Sequence, residues 1–230
     1  MPCTAKKFEK GRDDQAAAGY QDVDAVITTR ELARMIKEAG IDFTKLPDED
    51  FDPILGESTG AAVIFGATGG VMEAALRTVA DVLTGQDLET VDYKDVRGIA
   101  GIKEATVKIG DMDVNIAVVH GTGNAKNLLE AVKRGEKQYH FIEVMCCPGG
   151  CVTGGGQPIV SAQARNEIDP KVLRAKALYD EDASKPLRKS HKNPAIDTIY
   201  KEYFGEPNSH KAHEILHTSY VAREKYPDVD

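Results

Sequence analysis

Tryptophan is absent and aromatic residues make up only 6% of the chain, so its core must rest on aliphatic side chains. No run approaches the roughly 18–20 apolar residues of a membrane span. The N-terminus carries no apolar signal-peptide core, which leaves secretion unsupported. Basic charge is in deficit, with 29 Lys and Arg against 37 Asp and Glu and a net charge of −8. A general nucleic-acid-binding surface needs a basic footprint and is excluded. Cysteine is scarce but clustered. Of the four, Cys146, Cys147 and Cys151 fall within six residues, and Cys3 is at the extreme N-terminus. A secreted disulfide scaffold would spread and multiply its cysteines. A clustered set in an acidic chain points instead to metal or iron–sulfur ligation in a reducing compartment, the cytoplasm.

What is present suits a globular protein. The 230 residues are 41% hydrophobic and 29% charged, enough to bury a core as one large domain or two small ones. Asp24–Thr28 and Ala61–Phe65 are short apolar runs that read as strands. Thr28 with Glu31 fits a capping box, opening a helix that runs to Gly40. A turn at residues 66–70 leads into a strong helix ended by Gly85. Alternation on either side of Gly110-Asp111 predicts a hairpin reaching His120. Another helix follows, and then a strand, HFIEVMCC, that carries the first two clustered cysteines. The remainder reads as helices punctuated by prolines. The expected fold is α/β, a layered sheet with flanking helices. Residues 1–160 form the cluster-binding portion and 161–230 a helical C-terminal extension.

Three motifs have competing readings. Gly66-Ala-Thr-Gly69-Gly70 between an apolar run and a helix invites a dinucleotide site. The spacing fails at Met72, and no lysine follows to make a phosphate loop. A tight packing turn is the preferred reading. His213-Glu214-Ile215-Leu216-His217 spells the zinc-protease helix motif, but no further ligand follows at the required spacing. The plainer reading is an amphipathic helix with Ile215 and Leu216 turned inward. The acidic run Asp48, Glu49, Asp50 and Asp52 lacks the calcium-loop spacing and reads as solvated.

Cys147-Pro-Gly-Gly-Cys151 is the specific signal. A four-iron cubane needs thiolates presented from short loops with close backbone approach, and Gly149 and Gly150 permit it. Gly154-Gly155-Gly156 leaves no side chains beside such a cluster. On a continuous strand, Cys146 faces away from Cys147, so a remote ligand is required and Cys3 is available. A zinc site or a buried free-thiol pair are the weaker alternatives.

MPCTAKKFE at residues 1–9 and FIEVMCCPGGCVTGGGQP at residues 141–158 resemble the second and third signature motifs of iron-only (FeFe) hydrogenases. FGATGGVMEAALRT at 65–78, the segment around 91–105 and SHKAHEILHTSY near the C-terminus are similar to the same family. The resemblance covers nearly the whole chain. The family's first signature, TSCCPxW, is not in it. The expectation is therefore the C-terminal part of the catalytic domain, beginning on the second motif because of a truncated gene, an internal start or a deliberate cut.

The resemblance implies a 4Fe–4S cluster joined through a cysteine sulfur to a diiron subcluster with CO, cyanide and a bridging dithiolate. Cys3, Cys147 and Cys151 match three of its four cubane ligands, with Cys151 bridging to the diiron unit. Lys6 matches the lysine that donates to a cyanide, and Pro2 lies beside the same ligand. Met1 and Met145 match methionines near the diiron carbonyls, and Phe65 an aromatic that screens the site. Cys146 stands where the family commonly has alanine. It reads as a small buried residue, with an extra ligand as the alternative. The implied reaction is 2H⁺ + 2e⁻ ⇌ H₂. The implied partners are the upstream half of the catalytic domain, a ferredoxin or similar electron carrier, and the hydrogenase maturases. Two other classes stand beside this one: a non-catalytic iron–sulfur protein such as a sensor or cluster-assembly factor, and a nucleotide-binding α/β protein.

Overall fold

The structure is a computed structural model that describes residues 2–16, 19–52, 55–89 and 92–222. The first helical turn, α1 (Lys6–Glu9), follows directly on Cys3. Helix α2 (Thr29–Glu38) opens on the expected capping box. The Glu31 N–H donates to Thr28 Oγ1 at 3.3 Å, and the Glu31 carboxylate accepts the Thr28 N–H at 2.8 Å. That backbone N–H, followed by the Lys7 ammonium, holds the Glu31 carboxyl down at about 2. The anticipated strand at Asp24–Thr28 does not form. Residues 25–28 join no strand ladder, and extended Thr28 is used as the helix cap.

Ala61–Phe65 is a second correction. It is helical: α3 (Gly60–Val63) runs into a 3₁₀ turn, Ile64–Gly66, with Thr59 as the cap. A five-residue apolar run has no period that separates a buried strand from a buried helical turn. Thr59 Oγ1 accepts the Ala62 N–H at 3.4 Å to open the turn, and the turn packs so closely that a Cβ at Gly60 would fall 2.0 Å from the Asp182 carboxylate.

Helix α4 (Gly70–Thr84) starts after left-handed Gly69 and stops at left-handed Gly85. Strands β1 (Ile102–Ile109) and β2 (Met112–His120) pair antiparallel across the two-residue turn at Gly110-Asp111, with Ile109 opposite Met112. Helix α5 (Thr122–Lys133) crosses over to β3 (Phe141–Met145), which pairs parallel with β2. The sheet order is β1-β2-β3, so β2 is central. Its two faces serve two core clusters. Val114, Ile116 and Val118 pack with Met72, Leu76 and Ala80 of α4 on one side. Ala117 and Val119 pack with Ala125 and Leu128 of α5 on the other. This explains why residues 116–119 read as an unbroken apolar run: both faces of the strand are covered.

Helices α6 (Ala162–Glu167), α7 (Pro170–Ser184), α8 (Pro194–Ile199) and α9 (His210–Leu216) follow. Pro170 and Pro194 sit at first helical positions, where a missing N–H costs nothing. A π-helical turn, Tyr200–Phe204, continues α8. The last helix is shorter than the sequence pattern anticipates, since His217 is already extended. Its inward residue is Ala212, whereas Leu216 is 51% exposed, which corrects the anticipated face. Among the described residues no helix is long and apolar enough to cross a membrane.

A candidate iron–sulfur centre on the cysteine loop

The cysteine loop is built by backbone contacts from three directions. From below, the Thr68 N–H donates to Gly149 O at 3.1 Å. Gly150 has φ +97°, and a Cβ there would lie 2.6 Å from Thr68 N and 2.8 Å from Gly66 O. Only glycine satisfies both the left-handed backbone and that approach. From the N-terminal side, Pro2 O accepts the Gly156 N–H at 2.7 Å, and a Cβ at Gly154 would fall 2.4 Å from the same oxygen. This contact brings Cys3 to the loop. From the C-terminal side, the Arg174 guanidinium of α7 donates to Val152 O at 3.0 Å and Pro158 O at 2.9 Å. Helix α2 adds Arg30, whose guanidinium donates to Gly155 O at 3.0 Å.

The glycine turn at residues 66–70 is thus a packing device for the cysteine loop. The backbone amides at the start of α4 already have an anion. Glu143, buried on β3, accepts the Gly69 N–H at 2.6 Å and the Met72 N–H at 2.7 Å. A carboxylate at a helix N-terminus meets the positive end of the dipole. The protein's own side chain therefore fills the place that a nucleotide phosphate would take. Burial pushes the Glu143 carboxyl up, against the pull of those N–H groups. Lys103 is also desolvated here, which lowers its ammonium to about 8. It donates to Gly98 O at 2.9 Å and Thr68 O at 3.2 Å.

A buried ionic strut fixes α4 against α7. Arg77 is fully buried and donates to Asp182 through both terminal nitrogens, at 2.8 and 2.9 Å, and to Glu73 at 2.9 Å. Arg97 and Arg188 donate to Glu73 and Asp182 respectively, and both also donate to Asp92, so three arginines meet three carboxylates. Removing one partner of such a set leaves an uncompensated buried charge, which costs about 3–5 kcal/mol. The sequence analysis passed over Glu143 and this network. Their signal was a charged residue inside an apolar segment: Glu143 in FIEVM, and Glu73 with Arg77 at helical spacing.

The four cysteines are free thiols. Cys3, Lys6, Cys146 and Cys147 line one open cavity of about 750 Å³, together with Tyr220 from the chain's C-terminal end. Cys151 interacts electrostatically with Cys3, Cys146 and Lys6. Burial pushes the Cys147 and Cys151 thiols up, and the neighbouring sulfurs push them further. Lys6 donates to Glu9 at 2.7 Å, which raises its ammonium, and the two thiols Cys3 and Cys151 add to the effect. Met145 ends β3, half-buried, next to Cys146. Phe65 is 45% exposed in the 3₁₀ turn whose last residue, Gly66, touches the cysteine loop. Neither lines the thiol cavity. Met1 lies outside the described residues.

Cys146 departs from its sequence-based description. The strand ends at Met145, so strand alternation does not turn Cys146 away from Cys147, and its side chain is exposed on the same cavity. Among the described residues no three His, Cys, Asp or Glu side chains gather around a point that one metal ion would take. The rings of His213 and His217 are 4.5 Å apart, but His217 lies beyond the helix. A cubane's thiolates converge on a cluster rather than on one ion, each binding its own iron.

Fold and site together define a mixed α/β protein organised around a glycine-lined, cysteine-bearing loop. Residues 1–155 match the family described as "Iron only hydrogenase large subunit, C-terminal domain", and residues 168–223 match "Iron hydrogenase small subunit". The chain belongs to the iron-only hydrogenase family. It is 53% identical, over 98% of its length, to the NADP-reducing hydrogenase subunit HndD of Solidesulfovibrio fructosivorans. It spans only 38% of that relative. Its fold matches that of the apo [FeFe]-hydrogenase HydA1 of Chlamydomonas reinhardtii with a TM-score of 0.75 at 40% identity, over 96% of this chain and 62% of the other. At greater distance it is 31% identical, over 98% of its length and 47% of the relative's, to the cytosolic Fe-S cluster assembly factor narfl of Xenopus tropicalis.

Proposed function

We propose that this chain is the C-terminal part of an FeFe hydrogenase catalytic domain, active in 2H⁺ + 2e⁻ ⇌ H₂ only together with the upstream segment. The observation that carries the reading is the meeting of Cys3, Lys6 and Cys147 on one cavity, with Cys151 four residues beyond Cys147 on the same loop. When bound, a 4Fe–4S cluster joined to a diiron subcluster with CO, cyanide and a bridging dithiolate supplies the redox chemistry. Cys3, Cys147 and Cys151 would hold the cubane, and Cys151 would be the ligand shared with the diiron unit. The Lys6 ammonium, which here donates to Glu9, would be a charge-assisted donor to an anionic cyanide. Pro2 would border that ligand. Met145 and Phe65 lie outside the cavity that the thiols line, and on this reading would add soft apolar surface toward the diiron unit. Residues 1–160 act as the cluster-binding portion and 161–230 as a helical extension.

The partners of this reading are the upstream half carrying the first cysteine motif, a ferredoxin or similar electron carrier, and the hydrogenase maturases, in the cytoplasm. The similarity to an assembly factor supports a second reading, an iron–sulfur protein without hydrogenase activity. Anaerobic co-expression with the maturases, with and without the upstream half, followed by infrared spectroscopy, separates the two. Carbonyl and cyanide bands are expected in the paired sample. Iron and sulfide without those bands in either sample would establish the second reading instead, and hydrogen evolution by the chain alone would overturn its dependence on the upstream half.

A further inference from the structure

We infer that Lys103 sets the charge behind the cysteine loop: its ammonium favours the reduced form of a cluster held there, and loss of its proton disfavours it. The inference rests on the iron–sulfur reading above and goes beyond it, since that reading gives Lys103 no role. The placement comes from the sheet. Lys103 pairs with Val118, and Val118 with Glu143, so the three side chains share the face of the sheet that packs under α4. From there the Lys103 ammonium donates to Thr68 O at 3.2 Å, and the Thr68 N–H donates to Gly149 O at 3.1 Å. Gly149 lies midway between Cys147 and Cys151 in the chain. A single residue, Thr68, therefore joins the cation to the cysteine loop. A Cβ at Gly69, where φ is +94°, would lie 3.2 Å from Lys103 Nζ, so the turn's glycine also leaves the ammonium its place.

The charge in this place is not cancelled by a contact partner. Lys103 donates to two carbonyls, Thr68 O and Gly98 O, rather than to a carboxylate. Glu143 accepts the Gly69 and Met72 N–H groups, so its oxygens are already engaged. His120 lies two residues beyond Val118 on β2. Its Nε2 meets Ile99 O at 3.1 Å, and its Nδ1 is buried without a partner among the described residues. Glu73 of α4 is held by Arg77 and Arg97, and Arg97 also reaches Asp92. Lys94 and Asp95, before Gly98, are exposed. A cluster gains negative charge on reduction, and a half-buried cation acts on it through less water than a surface cation does. Local charge and solvent exposure are among the factors that set an iron–sulfur potential.

Electron and proton are thereby linked. One electron from a soluble reductant such as dithionite enters the cluster, a neutral Lys103 amine takes one proton from solvent, and no bond of the cluster forms or breaks. Below about 8 the ammonium is already protonated before reduction, and no proton is taken up. Above that value reduction brings a proton with it, so the potential falls as pH rises, until the reduced form releases its proton too. The coupling is reciprocal, since the proton favours the electron by as much as the electron favours the proton.

The test is an anaerobic redox titration of the chain paired with its upstream half and loaded with a 4Fe–4S cluster from iron and sulfide. Electron paramagnetic resonance reads the reduced fraction at a series of pH values. Wild type should hold one potential up to about pH 8 and fall to a lower one above it. Lys103→Arg keeps its charge at every pH and should stay at the upper potential throughout. Lys103→Met should stay at the lower one, and the gap between the two variants should equal the fall in wild type. A role in packing alone would leave the wild-type potential independent of pH. That outcome would overturn the inference, and so would a fall that persists in Lys103→Arg; both leave the iron–sulfur reading standing. These two readouts need no Lys103→Met protein, so the inference stays open to refutation even where that variant fails to fold. A wild-type pair that takes up no iron and sulfide would overturn both.

Discussion

Lys103 shows how one side chain records its surroundings. Burial beneath the residue 66–70 turn strips water from its ammonium and lowers it to about 8, with nearby Glu143 opposing the shift only in part. In the unfolded chain the same group titrates near 10.5. Between those values the unfolded chain holds a proton that the folded chain has released, so stability rises with pH across that window. Below about 8 both states are protonated and the desolvation penalty is present in full. Urea titrations at pH 8, 9 and 10 should show wild type gaining stability relative to Lys103→Met as pH rises. Parallel curves would mean that the ammonium is hydrated. Glu143 is the companion case: the carboxylate is tied to two backbone amides of α4, and the turn those amides belong to backs the cysteine loop.

At the scale of elements, local and tertiary signals agree in some places and conflict in others. Helix α2 was legible because its start signal is chemical: a threonine whose hydroxyl and a glutamate whose carboxylate satisfy each other's backbone amides. Its N-terminus also touches the site, since the Arg30 N–H donates to Gly156 O at 3.2 Å. Thr28→Ala should therefore cost about 1 kcal/mol, read as a lowered midpoint in chemical denaturation, and Thr28→Ser should recover most of it. The hairpin and α4 were equally legible, one from its turn and alternation, the other from length and a terminal glycine. The runs at 24–28 and 61–65 were not. Neither is long enough to declare a period, and the second packs beside Asp182, far along the chain.

For the whole molecule, the distribution of apolar surface matters. The outer edge of β3 has no strand partner among the described residues, and Phe141 and Val144 on it are exposed. Phe51, Val82 and Ile159 are each at least 70% exposed. An unpaired edge beside exposed apolar side chains invites association. The proposed upstream half would cover part of this surface. Adding it should lower the fluorescence of a hydrophobic dye bound to the chain and raise the chain's solubility limit. A dye signal unchanged by a half that nevertheless binds would place the contact elsewhere.

The sequence alone determined which residues can do the chemistry. A cluster of thiols among glycines is a local pattern, and its spacing and composition are independent of how the rest of the chain folds. It also determined the strongly capped or long elements, where each signal lies within a few residues of its effect. Tertiary structure decided what those residues share. Pro2 reaches Gly156 across the chain and brings Cys3 to the loop, the Arg77–Asp182 pair sets α7 against α4, and the end of β3 at Met145 frees Cys146 from the alternation that the sequence assigned to it. Contacts between residues far apart in the chain leave little periodic trace in it, because they are satisfied by burial and hydrogen bonding in three dimensions rather than by spacing along the backbone.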